Sequence, residues 1–270
     1  MEVVFATILS VVLVSCVSFI GALSLAINQE KLHHLLLTLV SISAGTLFGG
    51  AFLHLLPEAA EGNGLTVSIS LLALSGVVVF FILERFIHYR HQCDSQKASY
   101  QQHHHYQQHH NAQQHHHHKV TKPFHIGLIN LAGDALHNFL DGLVIAGSYL
   151  VSIPVGIAMT VAVILHEVPQ ELADFGVLLY AGFSKKKALF LNFLSAAVAI
   201  VGAIVGLILG TNSEAFVLMI LPFTAGGFLY IAGANLIPEL HKECGLRNSI
   251  WHVLALIFGI GLMWALTFLE

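Results

Sequence analysis

Two stretches decide how this sequence is read: IGLINLAGDALHNFLDGLVIAGSYL, residues 126–150, and PVGIAMTVAVILHEVPQELADFGVLLYA, residues 154–181. Each is an apolar run long enough to cross a bilayer, because the hydrocarbon layer takes roughly 20 apolar residues of helix. Each also carries polar side chains in its middle: Asp134, His137, Asn138 and Asp141 in the first, and His166, Glu167, Gln170, Glu171 and Asp174 in the second. An ionised group at the bilayer centre costs about 2.5–3.5 kcal/mol even on lenient insertion scales. Five carboxyls in two such spans need a reason to be there.

The rest of the chain establishes that these are spans. Of 270 residues, 56% are hydrophobic and 10% charged, whereas a soluble domain carries charge on about 25% of its residues. An ordinary water-facing domain is excluded. Further apolar runs lie at 3–27, 35–56, 65–87, 188–209, 215–236 and 250–269. The expected architecture is an all-α integral membrane protein, a single domain of eight transmembrane helices with no large soluble head. The first run has only Met1 and Glu2 before it and exceeds the length of a signal-peptide core, so it reads as the first helix. Cys16, Cys93 and Cys244 are too few and too scattered for a disulfide framework.

Eight crossings sort the positive charge. Lys31 falls between the first two spans, and Arg85, Arg90, Lys97, Lys119 and Lys122 around the third-to-fourth connection. Lys185, Lys186 and Lys187 join the fifth and sixth spans, and Lys242 and Arg247 the seventh and eighth. All eleven lie on one side, which the positive-inside rule makes cytoplasmic, with both termini on the other side. That orientation suits a bacterial inner membrane, a plasma membrane or an organelle membrane.

The second and seventh spans echo each other: Ala44-Gly45 through Leu55-Leu56-Pro57-Glu58 aligns without a gap with Ala225-Gly226 through Leu236-Ile237-Pro238-Glu239. The two spans run in opposite directions, so the expected plan is an inverted repeat of spans 1–3 and 6–8 around the central fourth and fifth, as in many transporters.

Within the central pair, His137 and Asp141 are four apart and Asn138 and Asp141 three apart, so they share a helix face. On the fifth span His166 and Gln170, and Glu167 and Glu171, are four apart. The connection near residue 152 is too short to leave the surface, so the two faces meet at similar depth. Pro169 lies inside this cluster and frees the carbonyl of Leu165, a break tolerated in a membrane only where a neighbour satisfies that group. Imidazole, carboxylate and amide ligands without thiolate suit zinc, iron(II), manganese or cadmium and disfavour copper(I). Because the ligands must be deprotonated, binding of a dication is expected to be linked to proton release.

His137-Asn138-Phe139-Leu140-Asp141-Gly142 and His166-Glu167-Val168-Pro169-Gln170-Glu171, with Leu172-Ala173-Asp174-Phe175-Gly176 and His54-Leu55-Leu56-Pro57-Glu58, resemble the ZIP (Zrt/Irt-like) family of divalent metal transporters, nearest its LIV-1-type branch. The resemblance covers nearly the whole chain and implies uptake into the cytosol by alternating access, as a homodimer, through a binuclear site. One metal would take His137, Asp141, His166 and Gln170; the second would take Asn138, Asp141, Glu167 and Gln170, with Asp141 bridging. Gln170 stands where the branch usually has His, and Ala173 where it usually has Gly. Glu171 joins the metal set, and Asp134 and Asp174 flank it. His54 and Glu58, with Glu61, are candidates for capture of the ion outside. Asn235, Glu239, His241 and Glu243 are candidates for its receipt inside.

The connection at 89–125 holds His103 to His105 and His115 to His118 among Gln residues. Its composition cannot build a core, so a disordered cytoplasmic metal buffer is expected. The metal is cargo, not a catalytic cofactor, and the expected partners are metal ions and the bilayer, with no nucleic acid. The enzyme alternative is an intramembrane metal-dependent hydrolase, since His166-Glu167 opens an H-E-x-x-H pattern. Gln170 ends that pattern, and Pro169 breaks its helix.

Overall fold

The computed structural model describes residues 1–24, 29–61, 64–85, 124–241 and 245–269. Eight long helices organise them: α1 (Glu2–Ile20), α2 (Leu32–Ala59), α3 (Val67–Arg85), α4 (Phe124–Val151), α5 (Ile153–Tyr180), α6 (Lys185–Asn212), α7 (Ala215–Leu240) and α8 (Leu246–Leu269). Seven are long and apolar enough to cross a membrane. The eighth, α4, has 28 residues and is set apart by its polar interior. The His-rich connection lies almost wholly outside the described residues.

Charge and apolarity account for the surface. Leu71, Leu74, Val78 and Phe81 on α3, and Ile250, Val253, Leu254, Ile257 and Phe258 on α8, are exposed, as helix faces toward lipid require. The interior is built instead around α5, whose Ala158, Met159, Ala162, Val163, His166, Glu167 and Glu171 are buried.

The echo between the second and seventh spans is repeated in three dimensions. Gly45 of α2 sits against the backbone oxygen of Leu256 on α8, and Gly259 of α8 against that of Ile42, where a Cβ would come within 2.1 and 2.3 Å. The matching crossing joins α7 to α3, with Gly226 against Ala73 and Gly76 against Phe223, at 1.8 and 1.9 Å. Only residues without a side chain let two backbones approach so closely. The echo therefore has a packing basis: a matched pair of close crossings, α2 with α8 and α7 with α3, each joining one half of the expected repeat to the other.

The same register carries a second matched feature. Gly50–Leu55 in α2 and Ile231–Leu236 in α7 are π-helical, and each is followed by Pro at the second position, Pro57 and Pro238. Proline cannot donate to the carbonyl four residues back and its ring crowds it, so a widened turn just before it relieves the conflict. His54 and Asn235 occupy the same position within the two turns.

Candidate metal centre

α4 and α5 are joined by a single residue, Ser152, whose hydroxyl caps α5 by accepting from the Val155 amide at 3.2 Å. The two helices therefore lie antiparallel, and the polar faces legible in their spacing meet. α5 runs unbroken through Pro169, and α2 answers the Leu165 carbonyl that proline leaves without its helical donor: the Ser43 hydroxyl donates to it.

Four ligand atoms converge from α4 and α5. His137 Nε2 lies 3.4 Å from Asp141 Oδ2 and 3.5 Å from Glu167 Oε1. His166 Nε2 lies 3.6 Å from each of the same two oxygens. A tetrahedral ion with bonds of 2.0–2.2 Å needs ligand-to-ligand edges of about 3.3–3.6 Å. The four nitrogen–oxygen spacings match four of the six edges of such a cage, and all four atoms lie within 4.8 Å of one another. His166 Nδ1 is 3.0 Å from the Ala162 carbonyl, an acceptor only, so the ring proton belongs there and the Nε2 lone pair faces the site. Phe80 and Phe228 meet the two imidazoles edge-on, with ring centroids 6.1 and 5.7 Å away.

A second group, Asp134, Glu167 and Glu171, brings three carboxylate oxygens within the same 4.8 Å. Amide donors hold part of it. Asp134 Oδ1 accepts from Asn138 Nδ2 at 2.9 Å and from Gln170 Nε2 at 3.3 Å, while Asn192 Nδ2 donates to Glu171 Oε2. The remaining atoms have no hydrogen-bond partner: Asp134 Oδ2, His137 Nε2, Asn138 Oδ1, Asp141 Oδ2, His166 Nε2, both oxygens of Glu167, Glu171 Oε1 and Asn192 Oδ1. Buried polar atoms are nearly always paired. Among the described residues only Ser148 and Thr224 have a like orphan, so the unsatisfied capacity of this bundle is concentrated in one place. Orphaned lone pairs and anionic oxygens together are what a cation satisfies.

The candidates divide by position. His137, Asp141, His166 and Glu167 form the first group, and Glu167 is the carboxylate common to both groups; Asp141 belongs to the first alone. Asn138 and Gln170 turn their amide nitrogens to Asp134. Asp174 accepts from Asn130 at 2.8 Å and, with Asp134, His137 and Gln170, lines a cavity of about 200 Å³. Glu84 and Asn235 line its far wall. Those residues cluster toward the ends of α3, α4, α5 and α7 that adjoin the Lys- and Arg-bearing connections. Toward the α4–α5 turn, Leu47, Ala51, Met159, Val163 and Phe228 are fully buried and close the bundle.

His54 and Glu58 stand apart from both groups. His54 is 1% exposed, with Nε2 2.9 Å from the Met263 carbonyl of α8. At the other end, Glu239 and His241 are exposed. Asn235 donates its amide to Glu84 Oε2 at 2.8 Å in the orientation that satisfies both side chains. Glu243 lies outside the described residues. Asn192 escaped the sequence reading; its signal was the one amide side chain within the sixth apolar run, near its start.

One family model and three relatives match this chain. A sequence model of the family described as "ZIP Zinc transporter" matches residues 3–267. A "Zinc transporter ZIP13 homolog" of Drosophila melanogaster is 35% identical over 87% of this chain and 78% of its own. "Zinc transporter SLC39A7" of Rattus norvegicus is 30% identical over 96% of this chain and 71% of its own, and "Zinc transporter ZIP13" of Danio rerio 34% identical over 88% and 78%.

Proposed function

The chain belongs to the ZIP zinc transporter family, and from that premise we propose that it carries zinc into the cytosol by alternating access through a two-part site between α4 and α5. It is a membrane transporter of divalent metal, not an enzyme, so the hydrolase alternative falls. The single observation that carries the site reading is the four-atom group of His137, Asp141, His166 and Glu167, with tetrahedral edge lengths and no competing hydrogen bonds.

The chemistry follows from that set. Two neutral imidazoles and two carboxylates offset the dication's charge and replace its water, while the second group offers oxygen alone. An ion moving from the first to the second exchanges nitrogen for oxygen ligands. It keeps Glu167 throughout and approaches the cavity. Zinc prefers imidazole to carboxylate, so the second group holds it less firmly, as release requires. With the Lys- and Arg-bearing side cytoplasmic, the described conformation is open inward and both termini lie outside. Iron(II), manganese and cadmium fit the same donor types, and a homodimer is the assembly that the resemblance implies.

The test is flux. Protein in liposomes loaded with a fluorescent zinc chelator should take up zinc, and Asp141→Ala and His166→Ala should each abolish nearly all of it at equal protein content. Wild-type rates in both variants would remove the site assignment.

A further inference from the structure

We infer that α6 is the third wall of the metal pathway, and that its Asn192 is a positioning residue that presents Glu171 to the departing cation. The inference rests on the carrier reading above and concerns a residue outside both ligand groups. Asn192 is fully buried, and so is Glu171. One amide nitrogen, Asn192 Nδ2, donates to Glu171 Oε2 and lies 3.4 Å from the Glu171 backbone oxygen as well. Holding both ends of the same residue restricts the glutamate's rotamer. The other carboxylate oxygen, Oε1, is left without a partner, and the Glu171 carboxylate brings one oxygen within 4.8 Å of oxygens of Asp134 and Glu167.

The arrangement repeats at Asp134, where Asn138 and Gln170 occupy Oδ1 and leave Oδ2 orphaned. Neutral amides thus orient both carboxylates without neutralising them. An arginine or lysine in the same places would compete with the ion for its ligands; an amide does not. The close crossing of α4 and α6 keeps Asn192 in place. Gly142 sits against the Ala199 carbonyl and Gly202 against that of Phe139, with a Cβ at either coming within 2.0 Å of the oxygen.

A one-oxygen glutamate in an all-oxygen group selects for cations that accept carboxylate readily, manganese among them. Asn192 should therefore govern how well manganese competes at this group and matter less to zinc at the imidazole group. The experiment measures zinc uptake into liposomes and its inhibition by Mn²⁺, using wild type, Asn192→Leu, Asn192→Ala and Glu171→Gln. A lost hydrogen bond to a charged group corresponds to about a tenfold change or more. The inhibition constant for Mn²⁺ should rise about tenfold in Asn192→Leu, with the KM for zinc changed less than threefold, and Glu171→Gln should raise the Mn²⁺ constant at least as far. Asn192→Ala loses the donor without adding charge or bulk, so it should reproduce the split if the leucine variant fails to fold. Wild-type zinc uptake that Mn²⁺ does not inhibit overturns the inference. So does an equal loss of both metals' apparent affinity in Asn192→Leu and Asn192→Ala. Absence of zinc uptake in wild type would instead overturn the carrier reading, a separately visible result.

Discussion

Replacing Asp141 by Asn tests the first ligand group with the least change of shape. The side chain keeps its volume, and Oδ2, now 3.4 Å from His137 Nε2 and 3.6 Å from His166 Nε2, becomes an amide atom without charge. Asp141 and Glu167 are the two anions of the four-atom group, both 1% exposed. The substitution therefore removes half of the negative charge that faces a dication where water contributes little screening. Breaking a buried ion pair by removing one partner costs about 3–5 kcal/mol. At 1.4 kcal/mol per decade, zinc affinity should fall by roughly a hundredfold to several thousandfold. Competition against a chromophoric chelator on the purified protein measures the affinity, and chelator-loaded liposomes the flux. Glu2→Gln, at an exposed carboxylate, serves as the control and should change neither. A correctly folded Asp141→Asn with an affinity within threefold of wild type would refute the reasoning, because no arrangement of the remaining three ligands replaces that charge.

Other consequences are equally direct. Ser43→Ala removes the partner of the Leu165 carbonyl, and interhelical bonds of this kind in membranes are worth about 0.6 kcal/mol and at most about 1.7; thermal unfolding in detergent should show a small loss, and none would mean another donor takes over. Gly45→Ala and Gly226→Ala each drive a Cβ into a backbone oxygen, at 2.1 and 1.8 Å, so both should lower thermal stability markedly. A loss confined to one of them would contradict the equivalence of the two repeats. His54→Ala should destabilise the α2–α8 contact through Met263 and leave the KM for zinc unchanged; a raised KM at unaltered stability would restore a capture role.

Much of this was legible because the relevant forces are local in sequence. Apolar run length marked the spans, and three- and four-residue spacing placed His137 beside Asp141 and His166 on the face it shares with Gln170. Proline's missing amide announced a freed carbonyl at Leu165, although which neighbour would answer it, Ser43, depends on how α2 packs. What was hidden depends on rotamers and on helices distant in the chain. Spacing cannot say whether Asp141 or Glu167 is common to both ligand groups, since that depends on how far each carboxylate reaches across the α4–α5 interface. Gln170 occupies a ligand position in the pattern, yet its amide is engaged by Asp134, one turn above His137 on α4. His54 reads as an interfacial imidazole until α8 is packed against it and the Met263 carbonyl claims its Nε2. Asn192 lies in an otherwise apolar run, and only the close crossing of α4 and α6 at Gly142 and Gly202 brings it to Glu171.

The most direct test of the central claim is anomalous diffraction from zinc-soaked crystals at the zinc edge. The predicted result is a zinc peak about 2.0–2.2 Å from His137 Nε2, Asp141 Oδ2, His166 Nε2 and Glu167 Oε1. A zinc-saturated crystal with no anomalous peak between α4 and α5 would contradict it.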